Sequence, residues 1–392
     1  MRFETSKIAD LISEISMGPF GSNIKVECFV EKGIPVLNGS NLDGFALKEE
    51  SFRYVTEEKA DSLGKANAHR GDVIITHRGT LGQIVFIPQD SHYNRYVISQ
   101  SQFRVKCNEN ILPEYLVYYF HTRIGQHKLL SNASQVGVPA LARASTTFQT
   151  IEIEVPDLSS QHKIIGLLET IRRKIEVNNA INENLSDQIQ TIYSNEFDPT
   201  THTPSGILAD ICSYSSDRIP VSELSLSTYY STENMQPNKM GSVDATSLPS
   251  ITQTTGCHKG DVLISNIRPY FKKIVYVTDN SCGCSTDVLC FVPMEDRYSA
   301  FLFGTLYMDR FFDYMVAGSK GTKMPRGDKQ QIMNYPVVLP NKESLDLFNG
   351  LVVPMLDQIA SNRIENSRLA ALRDALLPKL MSGELDVSDI DL

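Results

Sequence analysis

The chain has 392 residues, 41% of them hydrophobic and 21% charged. That is long enough for two or three domains and has the composition of a globular protein, with no run of about 18 apolar residues to span a bilayer. The net charge of −9 argues against a polyanionic partner until charge is counted locally, where basic and acidic stretches separate.

In chain order, the opening MRFETSKIADLI lacks the basic-then-apolar signature of a secretion signal, so a cytoplasmic location is expected. Short runs rich in Val, Ile, Phe and Tyr follow, bounded by Gly, Asn and Pro: GDVIIT (71–76), QIVFIP (83–88) and SQFRV (101–105). These predict strands of a mixed sheet. A helical stretch EYLVYYFHTRIGQHKLL (114–130) comes next, then a Gly-containing loop, a short strand IEIEVP (151–156) and a long helix. The same parts then recur. GDVLIS (260–265), KIVYV (273–277) and VLCFV (288–292) precede the helical YSAFLFGTLYMDRFFDYM (298–315), a second glycine loop, NYPVVLP (334–340) and a second long helix. Gly71-Asp72 corresponds to Gly260-Asp261. At a constant offset of 184, Gly137 matches Gly321, Pro156 matches Pro340, Ile175 matches Ile359 and Leu185 matches Leu369. The chain is an internal duplication with two copies.

Ile164, Leu168, Ile171, Ile175, Asn178, Asn182, Leu185, Ile189 and Ile192 alternate at spacings of four and three, and adding 184 gives Phe348, Val352, Met355, Ile359, Asn362, Asn366, Leu369, Arg373 and Leu376. This is a coiled-coil seam. Two asparagines interrupt both copies at the same place, where a slipped register would leave an amide buried without a partner. The two helices are therefore expected to pair with each other, antiparallel, with Asn178, Asn182, Asn362 and Asn366 fixing register. Pro354 predicts a kink or a start in the second helix. The first seam covers 29 residues, roughly 43 Å at 1.5 Å per residue, against about 34–36 Å for one turn of B-DNA.

Signs of catalysis are missing. No G-x-x-x-x-G-K-[ST] loop, no Asn-Pro-Pro-Phe/Tyr motif and no glycine-rich cofactor loop after a strand occurs, and the eight histidines are scattered. Seven cysteines, an odd number, point to reduced thiols. Cys282-x-Cys284 with Cys257-His258 upstream lacks zinc-knuckle spacing, so buried thiols are expected and no metal.

Several segments resemble the specificity subunits of type I restriction-modification systems, over nearly the whole chain. They are Gly18-Pro19-Phe20-Gly21-Ser22 with GIPVLNGSNL (33–42), YYSTENM (229–235), SNIRPYFKK (265–273), CSTDV (284–288) and GTKMP (321–325). The helix ends NENLSDQIQTIYSNEF (182–197) and NSRLAALRDALLPKLMSGEL (366–385) belong to the same set. The resemblance implies an α+β fold: target recognition domains at 1–156 and 199–340, separated by conserved spacer helices at 157–198 and 341–392 that pair as an antiparallel coiled coil. It implies a non-catalytic subunit that reads a split, asymmetric target in double-stranded DNA. Its helices would dock two methyltransferase (modification) subunits, joined by motor-nuclease (restriction) subunits. S-adenosylmethionine, ATP and Mg are then expected on the partners and none on this chain. A two-headed protein-interaction scaffold and a single-chain nuclease are the alternatives.

On that reading the phrase shared by 71–88 and 260–277 is scaffold, and its rewritten tip, HRGTLG in one copy and NIRPYFK in the other, meets DNA. Arg78 and Arg268 suit paired bonds to guanine O6 and N7 or to phosphate, with His77 beside the first. Tyr270 and Phe271 suit sugar or a thymine methyl, and Lys272 and Lys273 suit phosphate. Lys320, Lys323, Arg326 and Lys329 stand in a glycine loop that permits close approach to phosphate. Asn132, Ser134, Gln135 and Arg143 form its counterpart, Gln135 suiting adenine. Ser22, Lys25, Asn38, Ser40 and Asn41 are a further polar group, or else turn residues that satisfy their own backbone. Local charge agrees: +4 over 65–106, +3 over 259–274 and +3 over 318–330, against −3 over 157–198 and −4 over 341–392. Basic loops would face DNA and acidic helices would face protein.

Overall fold

A computed structural model describes residues 2–134 and 137–388. The chain divides into two compact units: residues up to Ile175 together with those from Arg368 onward, and Glu176–Ser367.

The first unit opens and closes on one antiparallel pair, Phe3–Lys7 with Glu152–Pro156. Between them lies a four-stranded antiparallel sheet in the order Ile12–Met17, Gln102–Cys107, Val73–Thr76, Ile84–Phe86. A second sheet runs Arg53–Val55, Ile34–Val36, Arg95–Val97, Asn67–His69, its middle pair parallel. The second unit repeats the plan. Gly206–Ile207 pairs with Pro336–Val337, and the main sheet is Cys212–Tyr214, Val288–Pro293, Val262–Ser265, Ile274–Tyr276. Its second sheet is Arg218–Pro220, Gln253–Cys257, Cys282–Cys284, Tyr229–Tyr230, again with one parallel pair.

The repeated Gly-Asp has a structural reason. In His69-Arg70-Gly71-Asp72 the aspartate Oδ2 accepts the His69 N–H at 2.9 Å, and in His258-Lys259-Gly260-Asp261 it accepts the His258 N–H at 2.8 Å. Gly71 and Gly260 take φ of 83° and 94°, a left-handed turn that glycine enters without a Cβ penalty. Each turn feeds a fully buried strand, VIIT or VLIS.

The helical stretches differ from expectation in one respect. Each is two helices, Pro113–His121 then Arg123–Leu130, and Ser299–Tyr307 then Asp309–Ala317. Thr122 and Met308 adopt extended backbone at the joints. Thr122 Oγ1 accepts the Gly125 N–H and restarts the first. A side chain at Gly125 would lie 2.1 Å from the Tyr119 carbonyl oxygen, so only glycine permits this sharp bend.

The long helices run Leu158–Phe197 and Lys342–Ser382. In the first unit Ile164, Ile165 and Leu168 share a core with Leu377, Leu380 and Met381 beneath Phe103, Phe120 and Phe148. In the second unit Ile189, Tyr193 and Phe197 share a core with Phe348, Val352 and Leu356 beneath Phe291, Phe301 and Phe311. The asparagines form a ladder within the second unit. Asn178 Nδ2 donates to Asn366 Oδ1 (2.8 Å) and Glu365 Oε2 (2.7 Å), Asn362 Nδ2 to Asn182 Oδ1 (2.8 Å), and Asn366 Nδ2 to Asn179 Oδ1 (2.8 Å). Numbers rise on one helix as they fall on the other, so the expected antiparallel pairing is borne out. A slip would strand buried amides at about 1–3 kcal/mol each.

Pro354 neither starts nor ends its helix. An interior proline costs about 3 kcal/mol, which the buried Phe348, Val352, Leu356 and Ile359 on either side of it offset. Five cysteines (Cys212, Cys257, Cys282, Cys284, Cys290) are buried and all seven are free. Among the described residues no set of His, Cys, Asp and Glu is placed to hold a metal.

Candidate nucleic-acid interface

In each unit the hairpin tip and the distal glycine loop, far apart in sequence, are bonded backbone to backbone. Gly79 N–H donates to the Pro139 carbonyl (2.8 Å) and Leu141 N–H to the His77 carbonyl (2.9 Å). Arg268 N–H donates to the Pro325 carbonyl (2.8 Å), and Ile267 bridges Arg326. An apolar residue stands exposed just before each proline, Val138 at 55% and Met324 at 50%. Two separately proposed surfaces are thus one surface in each unit.

The first tip leaves its arginine free. Arg78 is exposed, and neither its side chain nor that of Arg143, at φ 47°, has a hydrogen-bond or ion-pair partner among the described residues. His77 Nε2 is 3.1 Å from the Gln100 carbonyl. Burial lowers its pKa, with Arg78 adding to the effect, so at neutral pH it is an uncharged imidazole. Nearby, a cavity of about 450 Å³ is lined by Phe20, Phe29, Asn38, Arg53 and Gln100. Arg53 lies over the Phe29 ring at 5.1 Å.

The second tip is tightly held. Lys239 and Lys272 share Asp309 Oδ1 at 2.6 and 3.1 Å, and Lys239 also sits 4.6 Å above the Tyr307 ring. Burial pulls the Lys239 pKa down, opposed by Asp309. Burial alone would raise Asp309, yet the two ammoniums hold it below the usual carboxylate range. Lys273 Nζ donates to the Thr232 carbonyl (2.6 Å). Beside the tip, a groove of about 750 Å³ is lined by Glu233, Asp244, Arg268, Phe271, Asp287 and Met324.

Residues 3–187 match the profile of the type I restriction modification DNA specificity domain. The HindI specificity subunit of Haemophilus influenzae is 21% identical over 81% of this chain and 87% of its own length. The MjaIX specificity subunit of Methanocaldococcus jannaschii is 21% identical over 99% and 94%. A crystal structure of a type I S subunit from M. genitalium shares the fold, with a TM-score of 0.60 at 15% identity over 99% of this chain and 97% of that one. Residues 3–187 are thus similar to the type I specificity domain, and the chain as a whole shares the fold of a solved type I S subunit.

The contact residues expected from the sequence fall into distinct groups. Arg78, Arg143 and Lys323 are exposed and uncommitted among the described residues, and Arg268 has its Nε buried without a partner. Tyr270 and Phe271 are exposed. Lys272 and Lys273 are turned inward as above. Lys320 Nζ is 2.6 Å from Asp328 and Arg326 is 2.9 Å from Asp287. Lys25 is 3.6 Å from Glu27, both well exposed. Asn41 is fully buried: it accepts the Asn38 N–H (2.9 Å) and donates to the Lys48 and Glu50 carbonyls (2.9 and 2.8 Å). It holds a turn and has no atom to offer a base. Gln135 lies outside the described residues. Lys239 and Asp309 escaped the sequence reading, since neither sits in the tip and only the fold brings them beneath it.

Proposed function

We propose that this chain is a specificity subunit that reads a two-part, asymmetric duplex target, one half by each unit, with the paired helices setting the gap between the halves. The observation that carries this reading is the repeated clasp: an arginine-bearing hairpin tip bonded to a proline loop, built twice on the same main-sheet order with different side chains. Arg78 with Arg143 reads one half, and Arg268 with Lys323 the other. Arginine to guanine is the commonest specific contact, while lysine to phosphate positions without specifying. The uncommitted tips belong to regions of local positive charge, and each phosphate neutralised releases counterions and steepens the salt dependence.

The acidic helices dock two methyltransferase subunits, which a motor-nuclease subunit joins. S-adenosylmethionine, ATP and Mg belong to those partners. The test is co-expression with the cognate methyltransferase subunit, followed by mapping of methylated adenines in host DNA. A two-part motif with a fixed unread gap is expected. Exchanging residues 199–340 for those of a relative should change one half alone, and inserting four residues into both helices should change the gap. Change in both halves or in neither would refute the modular reading.

A further inference from the structure

The second tip spends its lysines on the protein and points its aromatic rings at the solvent, the reverse of what a phosphate clamp requires. Tyr270 is 50% and Phe271 38% exposed, their ring centroids 4.8 Å apart at 53°. The backbone beneath them is unusual. Arg268 and Lys272, on either side of the Pro269–Phe271 turn, take φ of 50° and 51°, and the segment that supports them does the same at Asn238 (55°) and Lys239 (65°). Side chains with a Cβ rarely adopt this region, and such residues persist only where surrounding contacts over-determine them. Those contacts are present. Asn238 N–H donates to the Phe271 carbonyl (2.8 Å) and Lys239 N–H to the Lys272 carbonyl (2.9 Å). Asp309 ties down both lysines and Thr232 the third. Two large rings are thus fixed in water, with the exposed Met324 on the adjoining loop.

We propose that Tyr270 and Phe271 form an aromatic wedge that enters the base stack of the half-site read by the second unit. The inference rests on the DNA-reading function proposed above. Its occupant is set by the surroundings. Residues 259–274 and 318–330 with Lys239 stay at +3 after Asp287, Asp309, Glu233 and Asp244 are counted, so what covers the rings is a polyanion that also offers apolar faces. Stacked bases meet both conditions. Apolar side chains that enter a base step unstack it and bend the duplex, and base–aromatic stacking tolerates any sequence. A rigid platform suits this task, because a floppy ring would lose rotamer entropy on insertion. Tyr270, the more exposed ring, leads, and Phe271, which lines the groove, buttresses it. The first tip, His77-Arg78-Gly79-Thr80-Leu81-Gly82, carries no Phe, Tyr or Trp, so unstacking is confined to one half of the target.

The test uses the full chain assembled with its methyltransferase subunit, on duplexes carrying the methylation-mapped target with 2-aminopurine placed at one position at a time. Away from the methylated adenines, which a methyltransferase turns out of the stack in either half, a severalfold rise in fluorescence is expected at one step in one half only. It should vanish in the Tyr270→Ser/Phe271→Ser variant, persist in Tyr270→Phe, and leave the salt dependence unchanged while affinity drops roughly tenfold. Specific, salt-dependent binding without any fluorescence rise would overturn the wedge and leave the reading function standing. So would a rise that survives the double substitution. Absence of salt-dependent binding by the wild-type assembly would remove the reading function and the wedge with it.

Discussion

Two hairpins of equivalent place in their sheets make the same pair of left-handed bends at their tips, Gly79 and Gly82 in one unit, Arg268 and Lys272 in the other. Glycine enters that region freely, whereas a residue with a Cβ loses about 1–2 kcal/mol. The first tip is therefore unstrained, and Arg78 on it has no partner among the described residues. The second is preset, its strain offset by contacts from Asn238, Lys239 and Asp309. The units also differ in their second sheets. The fourth strand adds beside Ile34–Val36 in one and beside Gln253–Cys257 in the other, on opposite edges. A common frame thus carries two tips built on different physical terms, one of glycines and polar side chains, the other strained and aromatic.

The largest expected effect concerns the shared aspartate. In the first unit burial raises the Asp72 pKa, opposed by the His69 N–H and by Arg104, whose guanidinium is 3.4 Å from Asp72 and 2.9 Å from Glu14. In the second, no arginine or lysine pairs with Asp261 among the described residues: besides the His258 N–H, its carboxylate meets the Cys290 thiol at 3.5 Å and the His258 ring at 3.9 Å. Arg104→Met leaves a buried carboxylate uncompensated and should destabilise the first unit by about 3–5 kcal/mol. Cys290→Ala should cost the second about 1 kcal/mol. Hydrogen exchange resolved by unit checks both, and equal losses would break the comparison.

Next come the reading arginines. Arg78→Ala and Arg268→Ala should each remove about 1–3 kcal/mol of discrimination and relax opposite halves of the methylated motif, as mapping in host DNA would reveal. Asp309→Asn should cost about 0.5–1 kcal/mol of stability and loosen the second tip alone. Relaxed preference in one half with the other intact is the expected readout in competition binding.

The smallest effect is a response to acid confined to one unit. His121 ends the helix Pro113–His121 where Tyr307 ends its counterpart. Its Nε2 lies 2.9 Å from the Ile84 carbonyl, with the Phe45 ring against it. Burial lowers its pKa, with Arg373 adding to the effect. The unfolded chain therefore takes up the proton first, so the stability this neutral histidine contributes is present above about pH 6.5 and is lost as pH falls below it. Thermal unfolding between pH 7 and pH 5 should weaken the first unit more than the second, and His121→Gln should flatten that difference.

Much of this architecture was legible in the chain. The duplicated Gly-Asp, the 184-residue offset and the interrupted seam are local or periodic features, and Asn178 and Asn362 sit where their spacing put them because a helix repeats its faces regularly. The joints at Thr122 and Met308 were hidden, since helical periodicity carries across a single extended residue. Pro354 does not start its helix, because its cost is local while the packing that overrides it is not. In sequence Asn41 fits a contact or a turn residue equally, because a polar residue after glycine looks alike whether it caps a turn or awaits a ligand.

Sequence by itself determined where strands, turns and paired helices fall and which stretches are basic, since backbone preference and side-chain period depend on near neighbours. Only the tertiary structure decided which cations remain available. Lys272, Lys273 and Arg326 meet Asp309, Thr232 and Asp287 from distant parts of the chain, and a charge taken up by a partner within the fold has less left to offer a ligand.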